Sequence, residues 1–411
     1  MIRMLRTKWF IVAPLTAWLA GADVVSAQPS AVTALPERPP ATAQYRLGPL
    51  LLNPVFSVPE IGHDSNVFSE ATHPKQDYVV RLVPALDVYA ESGLFTLAAR
   101  SGSTFTYYHR YSSERAIGHD LRARVVARAS RLRPWMGGAS IAADEPPSPE
   151  IDLRVRRRQT ELAVGIDFEL SSLARLGVSA NRVDERFGDG ETVSGVLLAD
   201  ALDRRTDALA ASMRLAPTPF TTVTARAYVA QDRFDRALDR DARSRGVDVI
   251  VGFAPEAIVR GTMSLGLRDH RPEDPLLARY HGITGRGELS TIVLGRAMLV
   301  ASYGRDVRYS FDRSEGYYVE TGGALTYTQR VGGPFDVQIR VARQDLDYRG
   351  RPVSTRGELL WSYQAGIGYS LENRSRIGIS YEYIERTGDT FAERVFSRRR
   401  LFGSFTYEFW K

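Results

Sequence analysis

Arginine is the residue most able to do chemistry in this chain. Arg122, Arg124 and Arg128 recur at even spacing, so in an extended segment their guanidinium groups leave one face. Arg100, on the preceding segment, extends the set into a basic wall. Guanidinium forks match carboxylate and phosphate oxygens, and arginine rings bind anions inside pores. Arg81, Arg260, Arg268 and Arg340 take the same face of their own segments, and Asp167 is an acidic member of that face. Two readings of the wall stay open. The arginines contact passing anions, or they pair with interleaved acids such as Asp87, Glu161, Asp248 and Glu382.

Other chemistries are poorly supported. The chain has no cysteine, which excludes a disulfide framework, thiolate metal sites and a cysteine nucleophile. Its six histidines, His63, His73, His109, His119, His270 and His281, fall at loops or segment ends. His119–Asp120 and Asp269–His270 offer acid–base pairs for a hydrolase at an external rim. Neighbours on a strand point to opposite faces, so neither pair is aligned in advance. His109 with Ser101 or Ser103 on one hairpin has no further support. Asp189 and Glu191 supply two oxygen donors but no full calcium loop, and a solvated turn accounts for them. No cofactor and no metal site is expected. Formal net charge is +6, with Lys8, Lys75 and Lys411 the only lysines. Arginine is interleaved with Asp and Glu rather than gathered in a basic stripe, so nucleic acid is not expected as a partner.

The elements that position these residues are strands. Extended stretches of alternating character recur along the chain, and the repetition of this two-residue period is the strong signal. Val80, Leu82, Leu86 and Val88 oppose Arg81 and Asp87. Leu162, Val164, Ile166 and Phe168 oppose Glu161, Asp167 and Glu169. Val337, Ile339 and Val341 oppose Asp336, Gln338 and Arg340. Ile377, Ile379 and Tyr381 oppose Arg376 and Glu382. Between the stretches, short turns near Ser92–Gly93, Leu132–Arg133, Ser171–Ser172 and Leu294–Gly295 alternate with longer polar breaks such as Tyr111–Gly118, Asp144–Arg154 and Gly188–Asp203. Short turns at one end and long loops at the other are how outer-membrane barrels connect their strands. Starting from Asn53–Val67, the count comes to about eighteen strands. The fold class is therefore all-β: a transmembrane antiparallel up-and-down β-barrel, with apolar faces toward lipid and charged faces toward the lumen. A barrel of this width encloses an aqueous channel unless something plugs it. Gly188–Asp203, with Val193, Val196, Leu197 and Leu198, is the segment able to fold inward as a constriction. Tyr107 and Tyr108, Trp135, Tyr303 and Tyr309, Tyr317 and Tyr318, and Tyr407 and Trp410 are expected in the interfacial girdles.

The chain ends fit the same picture. Arg3, Arg6 and Lys8 precede an apolar run from Trp9 to Ala20, and Val25-Ser26-Ala27 offers small residues before a cut. Residues 1–27 read as a cleaved secretory signal. Residues 28–48, with Pro29, Pro36, Pro39 and Pro40, read as a Pro-rich leader in the periplasm, and 49–411 as the barrel. In the last stretch Leu401, Gly403, Phe405, Tyr407 and Phe409 share one face. That stretch resembles the terminal strand of bacterial outer-membrane barrels, which the barrel-assembly machinery reads, although Trp410 and Lys411 follow the aromatic that usually ends it.

Gly62-His63-Asp64-Ser65-Asn66-Val67-Phe68 resembles a pattern of the putative β-barrel porin 2 family, Gly-aromatic-Asp-x-Asn-Val-aromatic, with His63 in place of the aromatic. The resemblance implies an integral outer-membrane barrel, in some genomes found beside exopolysaccharide or exosortase loci, and it supplies no catalytic residues. Physically, Asp64 and Asn66 can bond the backbone and set the first external loop. The expected function is a porin-like barrel passing polar solutes, with a lean toward anions or acidic exopolysaccharide. The alternative is a closed structural or binding barrel acting with periplasmic partners of a polysaccharide or protein export system. A weaker third reading is the external-rim hydrolase. Outer-membrane lipids, the assembly machinery and a polar or anionic solute are the expected partners, and a homo-oligomer is compatible with all of them.

Overall fold

The computed structural model describes residues 31–32, 35, 45–350, 356–371, 375–388 and 394–408. Eighteen antiparallel strands form one sheet that closes on itself. They are β1 (Leu50–Asp64), β2 (Asp77–Glu91), β3 (Phe95–Tyr108), β4 (Ala116–Ala127), β5 (Leu132–Glu145) and β6 (Val155–Glu169). There follow β7 (Ala174–Phe187), β8 (Arg204–Thr218), β9 (Thr221–Phe234), β10 (Ala242–Phe253), β11 (Val259–Pro272) and β12 (Tyr280–Val293). The last six are β13 (Ala297–Tyr309), β14 (Tyr317–Gly332), β15 (Phe335–Arg349), β16 (Gly357–Ser370), β17 (Arg376–Gly388) and β18 (Phe396–Glu408). Each pairs with its successor, and β18 returns to β1 from Phe56↔Tyr407 to Asp64↔Arg400. Closure leaves the wall without an unpaired edge. A three-residue strand, Tyr45–Leu47, adds to the start of β1.

Alternation sorts the two faces. On β6, Leu162, Val164 and Ile166 are exposed on the outside, whereas Arg157, Gln159 and Glu161 are buried on the inside. Val247 and Val249 of β10, Leu265 and Leu267 of β11, and Ile377 and Ile379 of β17 continue the outer apolar surface. An arginine at the bilayer midplane costs roughly 2–4 kcal/mol on a lipid face, which explains why the charged half of each strand turns inward. Short connections follow β2, β4, β6, β8, β10, β12 and β14, and longer ones follow β1, β3, β5, β7, β9, β11 and β13. At one of the tight reversals Leu294 and Gly295 take positive φ, 51° and 68°, which lets β12 turn directly into β13.

Two local departures matter. The first strand, expected over Asn53–Val67, runs over Leu50–Asp64 instead. Its end is fixed by side chains that take over from the ladder. The Asn66 N–H donates to Asp64 Oδ1 at 3.0 Å, the Glu70 N–H donates to Asn66 Oδ1 at 2.9 Å, and Asn66 Nδ2 donates to the Glu70 carbonyl at 2.8 Å. Register slips between Ser57 and Glu60 give β1 a bulge, and Pro59 sits in it where no ladder N–H is needed.

The second departure is larger. Pairing between β12 and β13 stops at Gly285↔Arg305, although the strands run on to Tyr280 and Tyr309. Beyond that point the end of β13 parts from β12 while staying paired with β14, and its side chains reach across the barrel. The Tyr309 hydroxyl donates to Asp232 of β9 at 2.7 Å, and Arg268 of β11 reaches Asp306 at 2.8 Å. Val307, Tyr317 and Val319, which would otherwise face lipid, pack against Tyr280. The expected girdle is corrected accordingly. Tyr107 and Tyr303 are exposed on the outer face, but Tyr108, Trp135, Tyr317 and Tyr318 are buried. Trp410 lies outside the described residues.

Gly62 sits where β1 and β18 approach most closely after the bulge. A Cβ there would run into the Leu401 carbonyl and the Phe402 backbone. Gly62→Val is therefore expected to destabilise closure by about 1–3 kcal/mol. Urea titration of heat-modifiable gel migration measures this, and an unchanged midpoint would contradict a close-packed seam.

Candidate functional site

The inner wall is built row by row from cross-strand pairs. Arg100 of β3 lies opposite Arg122 of β4, and Ala98 lies opposite Arg124, so three of the predicted arginines adjoin. Two like charges directly opposite each other repel unless acids intervene. Here they do: Arg100 pairs with Asp87 at 3.3 Å, and Arg122 makes two bonds to Asp120, at 2.7 and 2.9 Å. Arg124 lies 4.6 Å over the ring of Trp135. Arg128 follows the end of β4 and pairs with Glu91 at 2.7 Å, at the short-turn rim. The arginines adjoin, and carboxylates pair with them. Arg100 keeps 45% of its side chain exposed toward the lumen.

The other predicted residues do not join this wall. Asp167 lies across from Arg133 on β5, facing inward beside Gly177, where a Cβ would strike its carboxylate. Arg260 sits by the short connection after β10 and donates to the Ala257 carbonyl at 3.3 Å. Arg340 donates to Thr326 at 3.2 Å on the facing strand. Arg268 is 2% exposed; it is locked between Asp306 and Ser244. Each is inward as expected, but strand separation around the circumference keeps them from forming one ring.

Arg81 belongs to a second group that sequence reading did not assemble. It lines a cavity of about 180 Å³ with Glu145, Glu382, Arg398 and Arg400, between the barrel wall and the loop from Pro146 to Asp152. Arg400 is 3% exposed, bonded to Glu60 and, at 2.8 Å, to Glu382; Arg398 pairs with Asp64. These contacts join β1, β17 and β18 across the closing seam. Asp64 and Arg398 are more than three hundred residues apart in sequence, and no local pattern announces their meeting.

The external mouth is covered by loops. Glu150, in the β5–β6 loop, accepts from Ser310 Oγ at 2.5 Å and from the Phe311 N–H at 3.0 Å, both in the β13–β14 loop. The Arg386 guanidinium of β17 donates to the Pro149 carbonyl at 3.1 Å and to Asp152 at 2.8 Å. Contacts between loops nearly half a circumference apart can be made only across the interior. The expected constriction, Gly188–Asp203, joins them: Val193, Leu198, Ala199 and Leu202 form one buried cluster with Ile151 and Phe311. Arg240, buried in the β9–β10 loop, ties the pieces together. It donates to the carbonyls of Ala201, Ser310 and Gly316 at 2.9, 2.6 and 2.7 Å. Burial lowers its pKa to about 10, against the opposing effects of Glu150 and Asp239. Burial pushes the Glu150 carboxyl up to about 7, against the opposing effects of Arg394 and its two donors.

Near the short-turn end, described residues of the leader pack inside the lumen. Val32 is fully buried against Val126, Trp135, Ala139 and Ala163, and Leu35 packs on Tyr89 and Ala98. The Ala31 N–H donates to Glu161 at 2.9 Å. Of the leader expected in the periplasm over 28–48, Ala31, Val32 and Leu35 pack on inward side chains of the wall. Apolar inward side chains near the short turns make the niche that Val32 and Leu35 fill.

The acid–base pairs examined for catalysis separate as the strand period requires. Asp269 points outward to Arg245 and Arg271, while His270 points inward and is fully buried, with its Nδ1 2.9 Å from Ser244 Oγ. That Ser–His contact was missed in sequence because it is cross-strand; Ser244 and Arg268 are buried with it, so a substrate has no access.

A model of the family described as putative beta-barrel porin 2 matches residues 38–404. The chain belongs to this family. It is a porin-like outer-membrane barrel. No curated protein matches the chain. Among solved structures, a BenF-like porin from Pseudomonas fluorescens Pf-5 has a TM-score of 0.50 at 13% identity, covering 88% of this chain and 99% of that one. Pseudomonas aeruginosa OpdK, solved with vanillate, has a TM-score of 0.48 at 11% identity, covering 88% and 100%. Pseudomonas aeruginosa OccK2 (OpdF) has a TM-score of 0.48 at 13% identity, covering 88% and 98%. At such identities what this porin-like barrel shares with the BenF-like porin is the fold.

The loop cap makes a pH prediction. A carboxyl raised from 4.5 to about 7 binds its proton more tightly in the docked loop than in a solvated one. Docking is therefore strongest in acid and weakens as pH rises through 7. Channel open probability is expected to increase from about pH 5 to about pH 8, and Glu150→Gln is expected to flatten the profile. Planar-bilayer recordings across that range check it; a wild-type profile that is flat or rises toward acid would refute it. Arg240→Met, which removes three loop-to-loop bonds, is expected to raise open probability at every pH in the same recordings.

Proposed function

We propose that this porin-like barrel passes small polar solutes with a preference for anions, and rests in a closed state. The observation that carries the reading is the adjacent Arg100–Arg122–Arg124 wall on the inner face of β3 and β4. A solute carboxylate or phosphate exchanges with Asp87 or Asp120 at guanidinium groups already held in place, so the arginines need no reordering when the solute arrives. The acids keep each site from binding so tightly that the solute cannot leave, which conduction requires. Acidic glycan segments carry the same carboxylate chemistry and are a candidate cargo.

The closed state has two supports. The external loops cross the mouth through Glu150 and Arg240, and the leader occupies the short-turn half through Val32 and Leu35. The alternative, a closed barrel that works with periplasmic partners of an export system, is favoured by this same leader placement. On that reading a periplasmic factor would draw the leader out.

Single-channel conductance of the refolded mature protein under a salt gradient tests both. The expected result is sparse openings with anion preference. Arg100→Gln with Arg122→Gln is expected to move the permeability ratio toward that of free diffusion without altering folding. Retained anion selectivity in the double variant would exclude the wall as the selective element. Val32→Asp places a charge in an apolar niche and is expected to expel the leader and increase time spent open. Unchanged gating in that variant would show that the leader does not close the pore.

A further inference from the structure

The outer face of this barrel is not uniform, and its asymmetry points to a bound molecule. On β2, β3 and β4 the outward position next to the long-loop end carries Tyr78, Tyr107 and Ile117, all exposed. On β9, β10 and β11 the equivalent positions carry Arg233, Arg243 and Arg271. The strands here enclose an external hollow of about 990 Å³. Its lining holds five arginines, Arg182, Arg233, Arg243, Arg245 and Arg271, against two aspartates, Asp207 and Asp269. Its floor toward the membrane centre is apolar, with Leu162, Val164, Leu209 and Val229.

The rows follow from the ladder. Arg182, Asp207, Gln231, Arg243 and Arg271 lie side by side across β7 to β11. The next row inward reads Ala180, Leu209, Val229, Arg245 and Asp269. Charge therefore gives way to aliphatic surface within a strand or two of the same rows. Arg243, Arg245 and Arg271 converge on few acids: Arg245 and Arg271 share Asp269, at 3.0 and 2.6 Å, and Arg243 reaches Glu273 at 3.2 Å. Arg243 and Arg245 remain 72% and 65% exposed. Arginine is an expensive choice beside hydrocarbon unless a headgroup neutralises it.

We propose that this hollow binds a phosphorylated glycolipid of the outer leaflet, with its phosphates on Arg243, Arg245 and Arg271 and its acyl chains along Leu209 and Val229. The site demands an amphiphile, since a free anion would use the arginines and leave the aliphatic floor bare. Guanidinium forks bind phosphate oxygens in pairs, and each cation near an anionic lipid surface strengthens attachment. The site is on the outer wall, separate from the lumen, and it stands whether or not the barrel conducts.

The test is native mass spectrometry of the folded, delipidated protein in detergent, titrated with a bis-phosphorylated acylated diglucosamine lipid. The expected result is one retained lipid, with retention falling as salt rises. Arg243→Gln/Arg245→Gln/Arg271→Gln is expected to weaken retention roughly tenfold to hundredfold. Arg343→Gln, on the outer face of β15, is expected to leave it unchanged. Asp269→Asn removes a competing carboxylate and is expected to tighten binding, a gain that misfolding could not produce. Equal retention of the dephosphorylated lipid, or no difference between the triple variant and Arg343→Gln, would overturn the proposal.

Discussion

Everything in this molecule depends on closing the first strand onto the last. Until β18 meets β1, both present a row of unpaired backbone donors and acceptors that no lipid can satisfy. The seam is secured on its inner side by Arg400, held between Glu60 and Glu382, and by Arg398 on Asp64. Removing one partner of such buried pairs leaves an uncompensated charge, commonly a cost of about 3–5 kcal/mol. Gly62 and the bulge at Pro59 let the two backbones come together. The family motif around Asp64 and Asn66 thus has a structural role: Asn66 Nδ2 also donates to the Ser397 carbonyl at 3.3 Å, binding the first external loop to the last strand.

Closure creates an interior, and the interior is then largely occupied. Charged side chains of both signs cannot turn outward, so they pair across strands, and the lumen becomes a lattice of ion pairs rather than an empty tube. The end of β13 parts from β12, the β5–β6 loop crosses to meet the β13–β14 loop, and Val32 and Leu35 pack inside near the opposite end. The same loops that cover the mouth are joined through a buried carboxyl and a buried guanidinium, Glu150 and Arg240. Such contacts come from the less stable part of the protein and are suited to opening.

Much of this was legible in the chain. The two-residue period on eighteen strands, the sorting of short and long connections, and the inward face of Arg81, Arg100, Arg122, Arg124, Asp167 and Arg340 follow from alternation alone. The neighbourhood of Arg100 and Arg122 follows because β3 and β4 are consecutive antiparallel strands, and the burial of one face holds their register. The girdle assignment of Tyr309 and Tyr317 failed because β12 and β13 part after Gly285↔Arg305, which no alternation in either strand signals; Tyr318 failed because its position in the two-residue period turns it inward onto Tyr348. The seating of Val32 and Leu35 was not legible, because a segment without periodicity gives no clue to which surface it meets.

The sequence by itself determined the wall, because lipid on one side and water on the other impose a period that each strand must obey locally. Tertiary structure decided what fills and crosses the wall: the Glu150–Ser310 contact, the Arg240 ties, the buried Ser244–His270 pair and the seating of Val32. These join residues far apart in the chain, and their geometry exists only after the circumference has been closed and its radius set.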